Sequence, residues 1–168
     1  MMHFVYGGSA SGKSEYAENL LLNIQKGRPA YYIATMKAFG AEGEERIKKH
    51  RKLREDKNFI TVEVPKDLDG LELSGRHVVA ILEDVSNLAA NMFFEDESNA
   101  EDIAKQIFAL NDKCDELVVV GNNIFEDGCD YDEQTIKYIE AVAKVNALIS
   151  EKAVSVEEIV CSLVVKVK

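Results

Sequence analysis

The sequence has little of what marks secreted, disulfide-stabilised or membrane-spanning proteins. Its cysteines, Cys114, Cys129 and Cys161, are odd in number, far apart and without CxxC or metal-ligand spacing. This excludes a disulfide framework and predicts reduced thiols in the cytoplasm. The start of the chain lacks the basic and apolar regions of a secretion signal. No apolar run approaches the roughly 20 residues that span a bilayer.

Positive charge is also scarce. The 168 residues include 20 Lys and Arg against 30 Asp and Glu, which gives a formal net charge of -10. A field of this sign repels DNA, RNA and anionic membranes, so an extended nucleic-acid site is excluded, although a local basic pocket for a nucleotide is not. Hydrophobic residues make up 46% of the chain, enough for one globular core.

Apolar strand patterns alternate with helical patterns along the chain. The predicted strands are 3–6, 30–35, 59–64, 77–83, 116–122 and 158–167, and the predicted helices are 13–26, 41–56, 85–95, 99–113 and 131–152. This alternation predicts an α/β fold with a mostly parallel sheet and helices on both faces. No repeat or linker divides the sequence, so we expect residues 1–168 to form a single domain.

Two of the predicted helices begin with a capping-box pattern or its Asp variant. The pairs are Ser98 with Glu101 and Asp130 with Glu133. The acidic run EDESNAED is therefore interpreted as a solvated loop and helix start rather than as a metal site.

The stretch GGSASGKS lies between the first predicted strand and the first predicted helix, and it fits the phosphate-loop pattern G-x-x-x-x-G-K-[ST]. Its glycines let backbone N–H groups turn toward an anion, and the following helix points its positive end at the same anion. Lys13 is predicted to reach the β- and γ-phosphates and Ser14 to bind Mg²⁺. A plain glycine-rich turn is the weaker alternative, because the strand–loop–helix context is the one a phosphate loop requires. The predicted nucleotide-binding residues here are Gly7, Gly8, Ser9, Ala10, Ser11, Gly12, Lys13 and Ser14.

A phosphate loop also needs an acidic partner for Mg²⁺ at the end of another strand. The segment VVAILED supplies Glu83 and Asp84 where the predicted strand 77–83 ends. Ligands of open parallel sheets bind beyond the carboxyl ends of the strands. Because adjacent strand residues face opposite ways, we expect Glu83 rather than Asp84 to serve the metal.

A strongly basic segment stands out in this acidic chain. Six of the nine residues from Arg46 to Arg54 are Arg or Lys, and in a helix Arg46, His50 and Arg54 share one face. Neighbouring cations disfavour protonation of His50, which favours a neutral, nucleophilic imidazole, and they would also hold the phosphates of a nucleotide. A solvated helix with Glu–Lys pairs explains the same pattern equally well.

Taken together, these stretches resemble the bifunctional adenosylcobinamide kinase / adenosylcobinamide-phosphate guanylyltransferase family of cobalamin biosynthesis. The matching pieces are GGSASGKS, YIAT, ERIKKHRKLR, TVEVP, ILEDVSNLAANMFF and VVKVK, in order along nearly the whole chain. The resemblance implies a RecA-like P-loop NTPase sheet assembled as a homotrimer. It also implies two reactions. A nucleoside triphosphate, ATP or GTP, phosphorylates the aminopropanol hydroxyl of adenosylcobinamide. GTP then gives GMP to a histidine, which passes it to adenosylcobinamide phosphate.

The resemblance also assigns residues. His50 corresponds to the guanylylated histidine and is, with Lys13, a catalytic residue. Further nucleotide-binding positions that it implies are Ala34, Thr35, Met36, Arg51, Lys52, Leu53, Arg54, Glu63 and Glu83. The chain departs from the family pattern where Asn123 replaces an acid and where Ile136 and Ile139 replace two arginines. These departures concern the corrinoid contact and the kinase reaction rather than the GTP site.

Two other functions fit part of the pattern. A plain P-loop small-molecule kinase explains Lys13 and Glu83 but gives the basic segment around His50 no role. A nucleotide-sensing module would bind GTP without turnover. The sequence does not distinguish ATP from GTP as the phosphate donor of the kinase step.

Overall fold

The computed structural model describes residues 1–37, 45, 48, 57–75, 77–125 and 128–168. Its strands are β1 Met2–Gly7, β2 Ala30–Ala34, β3 Ile60–Glu63, β4 Val79–Glu83, β5 Glu116–Asn122, β6 Ser155–Val160 and β7 Leu163–Lys166. They form one sheet in the order β3-β2-β4-β5-β1-β6-β7. Every neighbouring pair is parallel except β6 and β7. The predicted mostly parallel sheet is therefore confirmed.

In the part of the chain that the structure describes, four long helices cover the sheet, namely α1 Lys13–Gln25, α2 Val85–Asp96, α3 Ala100–Asp112 and α4 Glu133–Lys152. Helix α1 packs on one face through Ala17 and Leu21, and α2, α3 and α4 pack on the other face. Of the predicted helix 41–56, Glu45 and Lys48 are described, and both are helical and exposed. Among the described helices, none is long and apolar enough to cross a membrane.

The central strands β4 and β5 each contain a continuous apolar run because helices cover both of their faces. In β4 the residues from Val79 to Leu82 are fully buried, and so are those from Leu117 to Val120 in β5. Such continuous runs are typical of parallel strands inside a sheet. All parallel strands end at one edge of the sheet, and the described residues of the predicted site lie at those ends or just after them.

The prediction of one strand over 158–167 is wrong. Cys161 and Ser162 adopt positive φ angles of 49° and 64° and turn the chain back, so that Val160 lies opposite Leu163 in an antiparallel hairpin. The sequence carries no Asn-Gly or similar signal for such a turn at this point.

The predicted caps are also displaced. Asn99 caps α3 by accepting a hydrogen bond from the backbone N–H of Asp102 at 2.9 Å. Asp132 caps α4 by accepting from the N–H of Thr135 at 3.0 Å. Each true cap lies one or two residues after the predicted one and provides the same side-chain acceptor.

Candidate active site

The loop between β1 and α1 is shaped to receive an anion. Gly12 has a φ of 92° and precedes α1, whose first N–H groups donate to no capping side chain of the described residues. They are therefore available to a ligand. A Cβ atom on Gly7 would lie 2.4 Å from the carbonyl oxygen of Ile159, so only glycine fits there. Behind the loop, the Ser162 N–H donates a hydrogen bond to the Ser11 carbonyl at 2.8 Å.

Lys13 is held over the loop rather than extended into water. Its side chain is only 7% exposed, and Nζ donates a hydrogen bond to the Gly8 carbonyl at 3.0 Å. Burial lowers the pKa of Lys13, and the carboxyl groups of Asp84 and Glu83 oppose that shift. The ammonium group thus lies where it can exchange a carbonyl oxygen for phosphate oxygens.

Ser14 and Glu83 meet directly, as their predicted common role requires. The Ser14 hydroxyl donates a hydrogen bond to Glu83 Oε1, while Glu83 Oε2 is buried and has no hydrogen-bond partner among the described residues. Burial raises the pKa of Glu83 to about 7, with contributions from the negative charges of Asp84 and Glu18, against the opposing effects of Ser14 and Lys13. A buried oxygen without a partner is what a cation or its water would satisfy.

Asp84 does not point away from the loop, contrary to the strand-alternation argument. It caps α2 by accepting hydrogen bonds from Asn87 N at 2.7 Å and Asn87 Nδ2 at 3.0 Å. Burial raises the pKa of Asp84, and Asn87, the Asn122 side chain and Lys13 counter this. Asp84 therefore lies with Glu83 beside Lys13, because the strand ends at Glu83 and the alternation ends with it.

Thr35 fixes the position of this acidic pair. It is fully buried, and its hydroxyl both donates to the Asp84 carbonyl and accepts from the Asp84 N–H, each at 2.8 Å. Asn91 in turn donates to the Thr35 carbonyl at 2.9 Å. The Thr35 side chain is thus fully engaged with the backbone.

The remaining described positions of the predicted nucleotide site lie at the same edge of the sheet. Glu63, Ala34 and Glu83 are register neighbours across β3, β2 and β4, and Glu63 is exposed. Met36 follows β2 and is half-buried. His50, Arg51, Lys52, Leu53 and Arg54 lie outside the described residues.

One ion pair next to the loop was not predicted from the sequence. Glu18 is 7% exposed, and its Oε2 lies 2.5 Å from Nζ of Lys57. Both line a cavity of about 590 Å³ that also contains Lys13 and Ser14. No sequence signal links Glu18 to Lys57, which lies 39 positions away in the chain. The pair holds Lys57 against the side of α1.

Within the described ranges, no group of three or more His, Cys, Asp or Glu side chains is arranged for a metal ion. Mg²⁺ commonly binds through one or two protein oxygens and keeps several waters, so Ser14 and Glu83 suit it as a pair. Their donor chemistry and the unpartnered Oε2 atom fit this ion.

Comparison with solved structures gives matches over nearly the whole chain. The flagellar accessory protein FlaH from Methanocaldococcus jannaschii matches with a TM-score of 0.54 and 16% identity, over 94% of this chain and 70% of that one. A KaiC-like protein from Pyrococcus horikoshii OT3 matches with a TM-score of 0.47 and 10% identity, over 94% and 69%. The likeness to FlaH concerns the fold, which is the predicted P-loop NTPase, RecA-like one.

Sequence comparison gives the family. No curated protein sequence matches significantly. The sequence model of one family, described as cobinamide kinase / cobinamide phosphate guanyltransferase, matches residues 3–167. That range contains the phosphate loop, Glu83 and the basic segment. The chain therefore belongs to the cobinamide kinase / cobinamide phosphate guanyltransferase family, whose members are kinases and nucleotidyltransferases of cobalamin biosynthesis.

Proposed function

We propose that the chain phosphorylates adenosylcobinamide and then transfers GMP from GTP to adenosylcobinamide phosphate through a GMP-histidine at His50. Membership of the family supports the two reactions. The grouping of buried Lys13 with Ser14 and Glu83 at the start of α1 is the observation that carries the proposal. We further propose that residues 1–168 act as one domain within a homotrimer.

In the kinase step, the loop from Gly7 to Ser14 holds the triphosphate with backbone N–H groups. Lys13 Nζ turns from the Gly8 carbonyl to the β- and γ-phosphates. The aminopropanol oxygen then attacks the γ-phosphorus. The bond to the bridging oxygen breaks, the nucleoside diphosphate leaves and the hydroxyl proton is released.

Ser14 and Glu83 would hold Mg²⁺, which supplies charge neutralisation for the phosphates when it is bound. Glu83 must lose its proton to serve as a ligand, and its pKa of about 7 places this change near neutrality. The Ser14 hydroxyl would then release Glu83 Oε1 and offer its own oxygen.

In the guanylyltransferase step, a neutral His50 nitrogen attacks the α-phosphorus of GTP and pyrophosphate leaves. A phosphate oxygen of adenosylcobinamide phosphate next attacks the same phosphorus, and the P–N bond to His50 breaks. The proposed nucleotide contacts are Ala34, Thr35, Met36, Glu63 and Glu83 at the sheet edge and Arg51, Lys52, Leu53 and Arg54 beside His50. Cations stabilise the charge that develops on the transferring group.

Intact mass after incubation with Mg-GTP tests the proposal. We expect one GMP per chain on the wild type and none on the His50→Ala variant, which should still phosphorylate adenosylcobinamide. His77→Ala is the matched control, because His77 is an exposed side chain hydrogen-bonded to Asp115 at the opposite end of the sheet. It should keep both the adduct and the activity.

Each other outcome identifies a different function. A wild type without the adduct that still transfers the γ-phosphate to adenosylcobinamide would be a plain P-loop kinase. Tight GTP binding without any product would indicate a nucleotide-sensing module. An adduct that persists in His50→Ala would move the nucleophile to another residue.

A further inference from the structure

A second cavity lies on the other side of the phosphate loop. It is a cleft of about 850 Å³ between the loop, the end of β5, the first half of α4 and the turn between β6 and β7. Its lining includes Ser9, Asn123, Tyr131, Ile139 and Glu158. Gly8 to Ser11 of the phosphate loop form one wall of this cleft, and the proposed phosphate transfer gives no role to the residues of β5, α4 and β6 that line the rest of it.

The charged side chain that lines the cleft is acidic, whereas a phosphate site needs basic side chains. Among the described residues that line it, none is Lys or Arg, and Glu158 carries the one charged side chain. Glu158 is half-buried on β6, between Tyr6 on β1 and Val165 on β7. No side-chain hydrogen bond or ion pair joins it to another described residue. Its neighbour Glu157, on the opposite face of β6, accepts a hydrogen bond from the Tyr16 hydroxyl at 2.9 Å.

A carboxylate in a basic-free cleft repels a nucleotide phosphate and attracts N–H donors and cations. The donor nucleotide has its own cavity, which holds Lys13 and Ser14 on the α1 side of the loop. Ala10 and Ser11 line both cavities, so the loop forms the wall between them. The second cleft therefore suits a substrate that is not a nucleotide.

The inner end of the cleft reaches the phosphate-transfer residues. Asn122 lines it, and the Asn122 side chain hydrogen bonds Asp84, the acid beside Lys13. Tyr138 also lines it and donates a hydrogen bond to the Ser86 carbonyl at 3.0 Å, at the start of the same α2 helix that Asp84 caps. Tyr131, which also lines the cleft, is exposed.

We propose that this cleft is the acceptor site, where the aminopropanol arm and adjacent amide side chains of the corrinoid enter and Glu158 accepts hydrogen bonds from the amide N–H groups. The macrocycle stays at the open, apolar rim. This inference rests on the proposed function, since it takes cobinamide as the acceptor. Amides supply N–H donors, and the cobalt(III) corrinoid is a cation, so both match an unpaired carboxylate.

Two variants test the site, with adenosylcobinamide varied at saturating nucleotide. Glu158→Gln should raise KM for adenosylcobinamide about tenfold, because the substitution weakens hydrogen bonds to a charged group. It should leave KM for the nucleotide unchanged. Ile139→Trp should fill the cleft and abolish phosphorylation. Both variants should still take up GMP from GTP, because that half-reaction needs no acceptor. Glu157→Gln is the matched control and should keep the wild-type KM for adenosylcobinamide.

The outcomes separate this inference from the function on which it rests. A wild type that does not phosphorylate adenosylcobinamide overturns the proposed function. A wild type that does so, with unchanged KM values in Glu158→Gln and activity retained in Ile139→Trp, overturns the acceptor site alone. A rise in KM for the nucleotide in Glu158→Gln would make the cleft a nucleotide site and overturn the inference as well.

Discussion

Lys13 and Glu83 each lie in surroundings that disfavour their charged forms. Burial lowers the pKa of Lys13 and raises the pKa of Glu83. Bound phosphate and a bound cation would remove both penalties. These two groups therefore lower the free energy of unfolding of the ligand-free protein, and the same groups allow it to bind charged ligands.

For Glu83 this cost depends on pH. The pKa is about 7 in the folded state against 4.5 for an ordinary glutamate. Between these values the folded protein keeps a proton that the unfolded chain has lost, so stability falls as pH rises and the loss is complete above pH 7. The magnitude is on the order of 3 kcal/mol. In metal-free protein, Glu83→Gln should thus be more stable than the wild type at pH 8 and nearly equal to it at pH 5.

Urea unfolding in EDTA at the two pH values measures the difference in free energy of unfolding between Glu83→Gln and the wild type. The same variant should also lose metal-dependent turnover. Glu140→Gln, an exposed change on α4, serves as the control and should show no difference at either pH. A Glu83→Gln variant without extra stability at pH 8 would mean that the carboxyl group is well solvated.

For Lys13, substitution should separate binding from stability. Lys13→Met should abolish the rise in Tm that Mg-GTP gives the wild type, because the point charge on the β- and γ-phosphates is lost. Without nucleotide its Tm should equal or exceed that of the wild type, since burial outweighs the attraction of the two acids. Lys105→Met, exposed on α3, is the control. Full protection of Lys13→Met by GTP would contradict the loop assignment.

At the scale of residues, the sequence predicted the phosphate loop and Glu83 but not the positions of the neighbouring residues Asp84 and Thr35. The G-x-x-x-x-G-K-[ST] spacing and a strand-end acid are local signals, and the structure brings Ser14 and Glu83 together. Asp84 and Thr35 depend on where β4 ends and on a contact 49 positions away in the chain. Neither the alternation rule nor local spacing contains that information.

At the scale of elements, the hairpin of β6 and β7 supports the loop from behind. Its turn holds Ser162 N–H against the Ser11 carbonyl at 2.8 Å. Two non-glycine residues adopt left-handed conformations there, each at a cost of about 1 kcal/mol. The turn thus keeps a strained backbone in contact with the phosphate loop.

A double substitution in this turn tests that strain. The variant Cys161→Asn with Ser162→Gly introduces the residue types that favour a two-residue hairpin turn, and we expect a gain of about 1 kcal/mol in the free energy of unfolding. GTP binding should persist, because the backbone N–H that contacts the Ser11 carbonyl remains. The control, Cys161→Ala with Ser162→Ala, should give no gain. Equal stabilities of the two double variants in urea would show that the turn is unstrained.

Most elements were predictable because the apolar runs and helical periods are strong. Strand 116–122 was predicted to the residue, and the helix from Lys13 was predicted to within one residue of its end. The hairpin was missed because Cys161 and Ser162 lie within an unbroken β-type pattern and lack turn residues. Tertiary contact with the loop, rather than local preference, holds that turn.

At the scale of the whole molecule, the sheet ends in an apolar edge. All four residues of β7 are exposed: on its α4 side Leu163 is 71% and Val165 46% exposed, and Val167, just after the strand, is 58% exposed. An exposed apolar edge strand promotes association unless something covers it. The formal net charge of -10 opposes close approach of two copies elsewhere on the surface. Self-association at this edge would therefore require a specific apolar contact.

The proposed homotrimer gives that edge an occupant, a second copy of the chain. Changing Leu163 and Val165 to Lys places two charges in the expected contact, where burying them unpaired is costly. We expect light scattering after gel filtration to show a multimer for the wild type and the mass of one chain for the Leu163→Lys, Val165→Lys variant. Val154→Lys is the control, because Val154 is 52% exposed but lies before β6 at the opposite end of the sheet. A wild type with the mass of one chain, or a double variant that keeps the multimer, would show that β7 is not the contact.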